Sequence, residues 1–323
     1  EQPCHLAALR DRFGKDWNKE DESRPVDLNE VFVARVSGAA LEPGPTLFLG
    51  LPGIQTVRPS PCGRAVAFTT PVELSLHPDT GICTWVAAID ASTPAIIAAT
   101  KGTSHPDWSP DGRALIFFQA TSTQGKDDDL RLGTLMRRTV LDATGRVALA
   151  GESSDLAGLV HHQRNRVRSL RDGRVLFNAS ALTLPTLGGK EDREQLFVLS
   201  GGERPTLQPL LAADELQNLP GALSVFEVSP DETQVLVAAD DAAVWLVHLA
   251  TGRVEPVSDQ IERVKEGKDG ENYPAPAWRA PGEFTFLRRR SASDPFELVL
   301  RRPAGEVVLS RNWSPQLLRR LVE

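Results

Sequence analysis

The sequence predicts an all-β fold, a six-bladed β-propeller built from four-stranded antiparallel blades. Three observations predict it. A turn followed at once by an apolar run returns five times, its copies lie 49 to 61 residues apart, and the stretches between them are short strand-like runs broken by Gly and Pro with little helical periodicity. About fifty residues is the length of four strands and their loops, so each repeat reads as one blade.

The clearest copy runs from Trp108 to Arg113 (WSPDGR) and leads into Ala114-Leu115-Ile116-Phe117-Phe118. Earlier, Ser60-Pro61-Cys62-Gly63-Arg64 precedes Ala65-Val66-Ala67-Phe68; later, Leu170-Arg171-Asp172-Gly173-Arg174 precedes Val175-Leu176-Phe177. The fourth copy is Ser229-Pro230-Asp231-Glu232 before Val235-Leu236-Val237, and the fifth, most degraded, is Trp278-Arg279-Ala280-Pro281-Gly282 before Phe284-Thr285-Phe286-Leu287. Pro presets φ at the first turn position, Asp accepts bonds from the amides that follow, and Gly takes positive φ, so the motif reverses the chain between two strands. Further strands follow each turn, as at Val244 to Leu249 and Val254 to Val257.

The chain ends complete the count. Residues 29–37 (NEVFVARVS) and 45–51 (PTLFLGL) read as the outer two strands of a sixth blade. Asn312-Trp313-Ser314-Pro315 followed by 317–322 (LLRRLV) reads as its inner pair, which closes the ring as a hybrid N-/C-terminal blade. The competing count is five blades with a C-terminal helix. Residues 1–28 form an N-terminal extension with a short helical stretch near Leu6 to Phe13, and 29–323 the propeller domain.

With its degenerate copies, the WSPDGR turn resembles the repeat of TolB-like propellers over about residues 54 to 310. The resemblance implies a propeller that binds a partner protein on one face or at the channel mouth. It also reaches the propeller halves of prolyl oligopeptidase-type enzymes, so the repeat identifies a fold and not an activity. The chain opens on Glu1 and its only methionine is Met136, which fits either a removed export leader or a piece of a longer chain; taken with the resemblance, the expectation is the leader and a periplasmic or secreted protein.

Composition sets limits on function. A formal net charge of -7 argues against broad nucleic-acid binding, which needs a surplus of clustered cations. No window nears the roughly 18 to 20 uninterrupted apolar residues of a membrane span. Cys4, Cys62 and Cys83 are too few for a disulfide scaffold and lack zinc spacing; one disulfide with a spare thiol and three free thiols both fit. There is no G-x-S-x-G elbow, no H-E-x-x-H, no P-loop and no G-x-G-x-x-G. Asp127-Asp128-Asp129 lacks the alternate ligand spacing of a calcium loop and reads as a solvated acidic loop. Neither a cofactor nor a metal site is expected.

The candidate binding residues lie in His161-His162-Gln163-Arg164-Asn165-Arg166-Val167-Arg168, just before the third turn and aligned with the innermost strand of its blade. Strand alternation puts His162, Arg164, Arg166 and Arg168 on one face, and His105, before the second turn, is grouped with them. Innermost strands of a propeller line the channel, where converging guanidiniums suit an anionic small molecule or an acidic peptide. The bland alternative pairs these arginines with acidic side chains of neighbouring blades. A second basic cluster, Arg288 to Arg290 with Arg301 and Arg302, reads as a solvated rim. The expected function is thus a non-enzymatic binding module with a protein partner or anionic ligand. The alternative is a propeller-type hydrolase or lyase with a small-molecule or glycan site at the channel.

Overall fold

The computed structural model describes residues 29–37, 40–50, 54, 56–70, 82–102, 105–123, 130–149, 153–162, 166–184, 194–201, 205–212, 214–215, 223–239, 243–258, 276–288 and 294–313. Cys4, the helical stretch expected near 6–13, Asp127 to Asp129, Arg164, Arg289, Arg290 and the strands expected at 317–322 lie outside these residues. The chain divides into two units, 1–53 and 54–323.

In the first unit, β1 (Asn29–Ser37) pairs antiparallel with β2 (Ala40–Gly50), Asn29 opposite Gly50, with register shifts either side of Phe32. These are the two strands expected as the outer pair of the sixth blade.

Among the described residues, the second unit holds five antiparallel four-stranded blades in chain order. They are β3 (Thr56–Pro59), β4 (Ala65–Thr70), β5 (Ile82–Ala88) and β6 (Ile96–Gly102); β7 (Asp107–Trp108), β8 (Ala114–Thr123), β9 (Leu130–Thr139) and β10 (Ser154–His162); and β11 (Val167–Ser169), β12 (Val175–Ser180), β13 (Glu194–Leu199) and β14 (Leu207–Pro209). The fourth is β15 (Leu223–Val228), β16 (Gln234–Ala239), β17 (Val244–His248) and β18 (Val254–Pro256); the fifth is β19 (Ala277–Ala280), β20 (Glu283–Arg288), β21 (Phe296–Arg302) and β22 (Gly305–Trp313). A single pairing of Gly102 with Gln119 links the first two sheets. Asn312 and Trp313, read from sequence as part of the inner pair of the sixth blade, instead extend β22, where Trp313 sits opposite Phe296.

Why these strands are nearly continuous runs of apolar residues follows from what each face meets. Along β12 every residue is buried, yet successive side chains enter different cores. Val175, Phe177 and Ala179 pack against Ile116, Phe118, Leu135 and Leu159 of the second blade. Leu176 faces the other way, with Val235, Val237, Trp245 and Val247 of the fourth. The pattern continues outward: Leu236, Ala238 and Leu246 meet Phe284, Phe286 and Val299 of the fifth blade, and Ala65, Ala67 and Val86 of the first meet Leu115, Phe117 and Met136 of the second. A sheet buried on both faces by its two neighbours is what successive propeller blades require, so the fold is the expected all-β propeller. Phe118 and Phe177 make one such contact edge to face, ring centres 5.8 Å apart.

Each of the first four blades carries the repeat motif at its first reversal. The amide of the fourth turn residue donates to the carbonyl of the first: Gly63 to Ser60, Gly112 to Ser109, Gly173 to Leu170 and Glu232 to Ser229, at 2.8 to 2.9 Å. Where serine leads, its hydroxyl accepts the next amides, as Ser229 Oγ does from Thr233 and Gln234 at 3.1 and 3.0 Å. That fourth residue is left-handed every time, and the fourth blade puts Glu232 there at φ 58°. Its carboxylate accepts the Arg171 amide at 2.9 Å while Arg171 Nη2 donates to Pro230 O at 2.7 Å, so contacts to the neighbouring turn offset the roughly 1 kcal/mol of backbone strain.

Cys62 is exposed and Cys83 buried, both as free thiols. The solvated-rim reading of the second basic cluster is corrected at Arg288. It lies partly buried between strands, with Nη1 2.7 Å from Glu306 and Nη2 3.1 Å from Glu297, because β20 and β21 place Arg288 opposite Glu297.

Candidate functional site

The residue two places before each turn start occupies the same position on each innermost strand, as the register shows: Arg58 opposite Ala67, Asp107 opposite Ile116, Arg168 opposite Leu176, Glu227 opposite Leu236 and Ala277 opposite Thr285. Blade by blade, the tier reads cation, anion, cation, anion, alanine. One alternation earlier, Thr56 falls on the same strand face as Arg58, while Arg166 and His105 stand two residues before Arg168 and Asp107, just ahead of β11 and β7. His105 and Arg166 form a parallel bridge that ties the second and third blades together at this level.

These positions converge on one carboxylate oxygen. Glu227 Oε1 lies 2.8 Å from Arg168 Nη2, 3.2 Å from Arg166 Nη1 and 3.7 Å from Arg58 Nη2. The three arginines are not equivalent. Arg168 is held at both ends, its Nη1 also donating to Val167 O at 3.0 Å, and its side chain is 9% exposed. Arg166 is 17% exposed and its buried Nε has no partner among the described residues. Arg58, at 32%, reaches Glu227 only beyond hydrogen-bond distance.

Backbone bonds fix the arginines from behind. Asn178 on β12 accepts the Arg166 amide at 2.7 Å through Oδ1, and its Nδ2 donates to Leu223 O of the fourth blade at 3.2 Å. Asp107 Oδ2 accepts the Ser169 amide at 2.8 Å. Trp108 Nε1 donates to Arg58 O and Trp278 Nε1 to Glu227 O, both at 2.9 Å, so each of these tryptophans anchors the charged residue of the preceding blade.

The electrostatics follow from enclosure. Burial lowers the His105 pKa to about 3, helped by Arg166, Arg168 and Arg58, so the ring is neutral near pH 7 and bonds Thr56 Oγ1 through Nδ1 at 3.0 Å. Burial pushes the Asp107 carboxyl up, against the pull of Arg168, the Ser169 amide, Arg58 and the Trp108 amide. Burial also lowers Arg166 to about 10, leaving it cationic. His105 is one of the groups through which acid acts on the fold. Because this ring sits below its unfolded value of 6.5, the unfolded chain takes up a proton that the folded one refuses; that stability is complete above pH 6.5 and is lost as pH falls toward 3. Asp107 acts in the opposite sense above 3.8, so the His105 share is read by difference. Urea unfolding at pH 7 and pH 4 is expected to show a stability loss about 2 to 4 kcal/mol smaller in His105→Gln than in the native protein. Equal losses would contradict the assignment.

Of the residues picked from sequence, His105, Arg166 and Arg168 come together and Arg164 lies outside the described residues. His162 is corrected: it ends β10, which pairs with β9 as the outermost strand of the second blade, and so is not on the strand of Arg168. Alternation relates these side chains only along one continuous strand, whereas β11 begins at Val167. Sequence reasoning missed Arg58, Asp107 and Glu227. The signal that finds them is the repeat itself, since each stands two residues before a turn already recognised. Among the described residues, no three of His, Cys, Asp or Glu gather as a metal ion requires, and no helix is long and apolar enough to cross a membrane.

No family model and no curated protein sequence matches the chain. Solved structures do. Puromycin hydrolase matches at a TM-score of 0.53 with 12% identity, over 86% of this chain and 41% of that one. The acylaminoacyl peptidase of Pyrococcus horikoshii matches at 0.47 and 12%, over 88% and 44%, and the tricorn protease at 0.46 and 14%, over 72% and 25%. This chain thus spans less than half the length of each. At 12% identity the likeness to puromycin hydrolase is one of fold alone.

Proposed function

We propose that this chain is a binding module of the propeller class that holds an anionic group of a protein partner or small ligand on Arg58 and Arg166, in the periplasm or outside the cell. The observation that carries the reading is the meeting of three guanidiniums, from the first and third blades, on a single oxygen of Glu227. Such preorganised donors give charge-assisted bonds to an incoming anion with little reorganisation. Arg58 is the entry point because it is the most exposed of the three and has the weakest hold on Glu227.

The test is calorimetric titration with an acidic heptapeptide of alternating Glu and Gly. Arg58→Gln is expected to weaken binding about tenfold or more, the value of one charge-assisted contact, while the melting temperature stays within a degree or two. Unchanged affinity in the variant, or no binding by the native protein, would remove the reading.

A second reading, a propeller-type hydrolase, rests on the fold likeness to puromycin hydrolase and on the Thr56 to His105 contact, a hydroxyl paired with an imidazole. Burial, reinforced by three nearby cations, makes that imidazole a poor general base at neutral pH, because it takes a proton only near pH 3. Turnover of ester or peptide substrates that disappears in His105→Gln would favour this reading over binding alone.

A further inference from the structure

If the cluster binds an anion, as proposed above, its own residues also decide which charge it prefers, and that preference rests on the binding reading. Arg58, Arg166 and Arg168 bring three positive charges, Glu227 and Asp107 bring two carboxylates, and His105 is neutral near pH 7. With both carboxylates ionised, one positive charge is uncompensated. The surplus is placed unevenly: Arg168 is spent on Glu227 and Val167 O, whereas Arg166 retains a buried Nε with no partner among the described residues and Arg58 stands 3.7 Å from Glu227 with its other donors uncommitted to it. We propose that the cluster selects a single carboxylate over a doubly charged anion, and that Glu227 sets this selection by standing as the site's internal anion.

A monoanion bound across Arg58 and Arg166 brings the enclosed charge to zero. A dianion leaves one negative charge in surplus, beside the carboxylates of Glu227 and Asp107, at a place where poor solvation magnifies repulsion. Removing the Glu227 charge without changing its shape frees a second positive charge, so Glu227→Gln strengthens anion binding instead of abolishing it, and does so more for a dianion. Were Glu227 only a structural clasp, its loss would weaken every anion alike.

The experiment is calorimetry at pH 8 and fixed ionic strength with four probes: propionate, N-acetyl-triglycine with its free carboxylate, the same peptide as its amide, and inorganic phosphate, largely a dianion there. The native protein is expected to bind the two carboxylates more tightly than phosphate and to ignore the amide. In Glu227→Gln, phosphate is expected to tighten about tenfold and to overtake propionate. Propionate and the acetyl peptide separate a small acid from a chain end as the source of the carboxylate. Thermal melting with and without each probe keeps the test valid if the variant is less stable, since a bound anion raises the melting temperature of whatever folded protein remains. Phosphate binding tighter than propionate in the native protein, or unmoved in the variant, would overturn the selection while leaving an anion site. Failure of all four probes to bind or to shift melting would overturn the anion site itself.

Discussion

Replacing Trp108 with alanine is expected to destabilise the second unit by about 3 to 5 kcal/mol, the cost of deleting a large buried aromatic side chain. Trp108 is 3% exposed and packs in the core shared by the first two blades, with Ala65, Ala67, Leu115 and Phe117 among its neighbours. Its indole also donates to Arg58 O across the blade boundary, so truncation leaves that carbonyl without this donor as well as opening a cavity. Trp108→Phe separates the two contributions: it retains most of the apolar volume and loses the bond, and about 1 to 2 kcal/mol is expected for it. Urea unfolding measures both. A loss below about 1 kcal/mol for the alanine variant would mean that the blades are not packed as described.

The second large effect is expected at Glu227. Exchange for leucine leaves Arg166 and Arg168, both poorly exposed, with no carboxylate between them and with Arg58 close by, and removing one side of a buried ionic cluster typically costs about 3 to 5 kcal/mol. Repulsion among the guanidiniums makes the loss dependent on salt, so raising ionic strength is expected to recover part of it. The glutamine variant, which retains an acceptor oxygen, is expected to lose less. A leucine variant as stable as the native protein would show that the three contacts contribute nothing.

The propeller was legible because its signal is periodic and local. A Pro, Asp and Gly in fixed order can be read without knowing what packs where, and even the degraded fourth copy is found, although Glu232 takes the left-handed position that Gly fills elsewhere. Blade packing was legible for a related reason: runs such as Val244 to Val247, all four buried, lack the polar alternation of a half-exposed strand because both faces are covered. The site was half legible. Arg166 and Arg168 stood out as a dense basic run, but Arg58, Asp107 and Glu227 are single charges in ordinary surroundings, and only the return of the chain every fifty to sixty residues brings them together. His162 was misplaced because alternation holds within one strand and the chain leaves β10 before β11 begins. No spacing rule foretells that Glu227 of the fourth blade takes both arginines of the third.

The convergence of innermost strands on Glu227 is most directly tested by a double-mutant cycle of Glu227→Leu and Arg168→Met, followed by urea unfolding at neutral pH. A contact of 2.8 Å with little exposure predicts a coupling of about 2 kcal/mol or more, the double variant being clearly more stable than the sum of the single losses implies. Losses that add to within about 0.5 kcal/mol would show that the two side chains do not meet, and the charged tier would then fall with them.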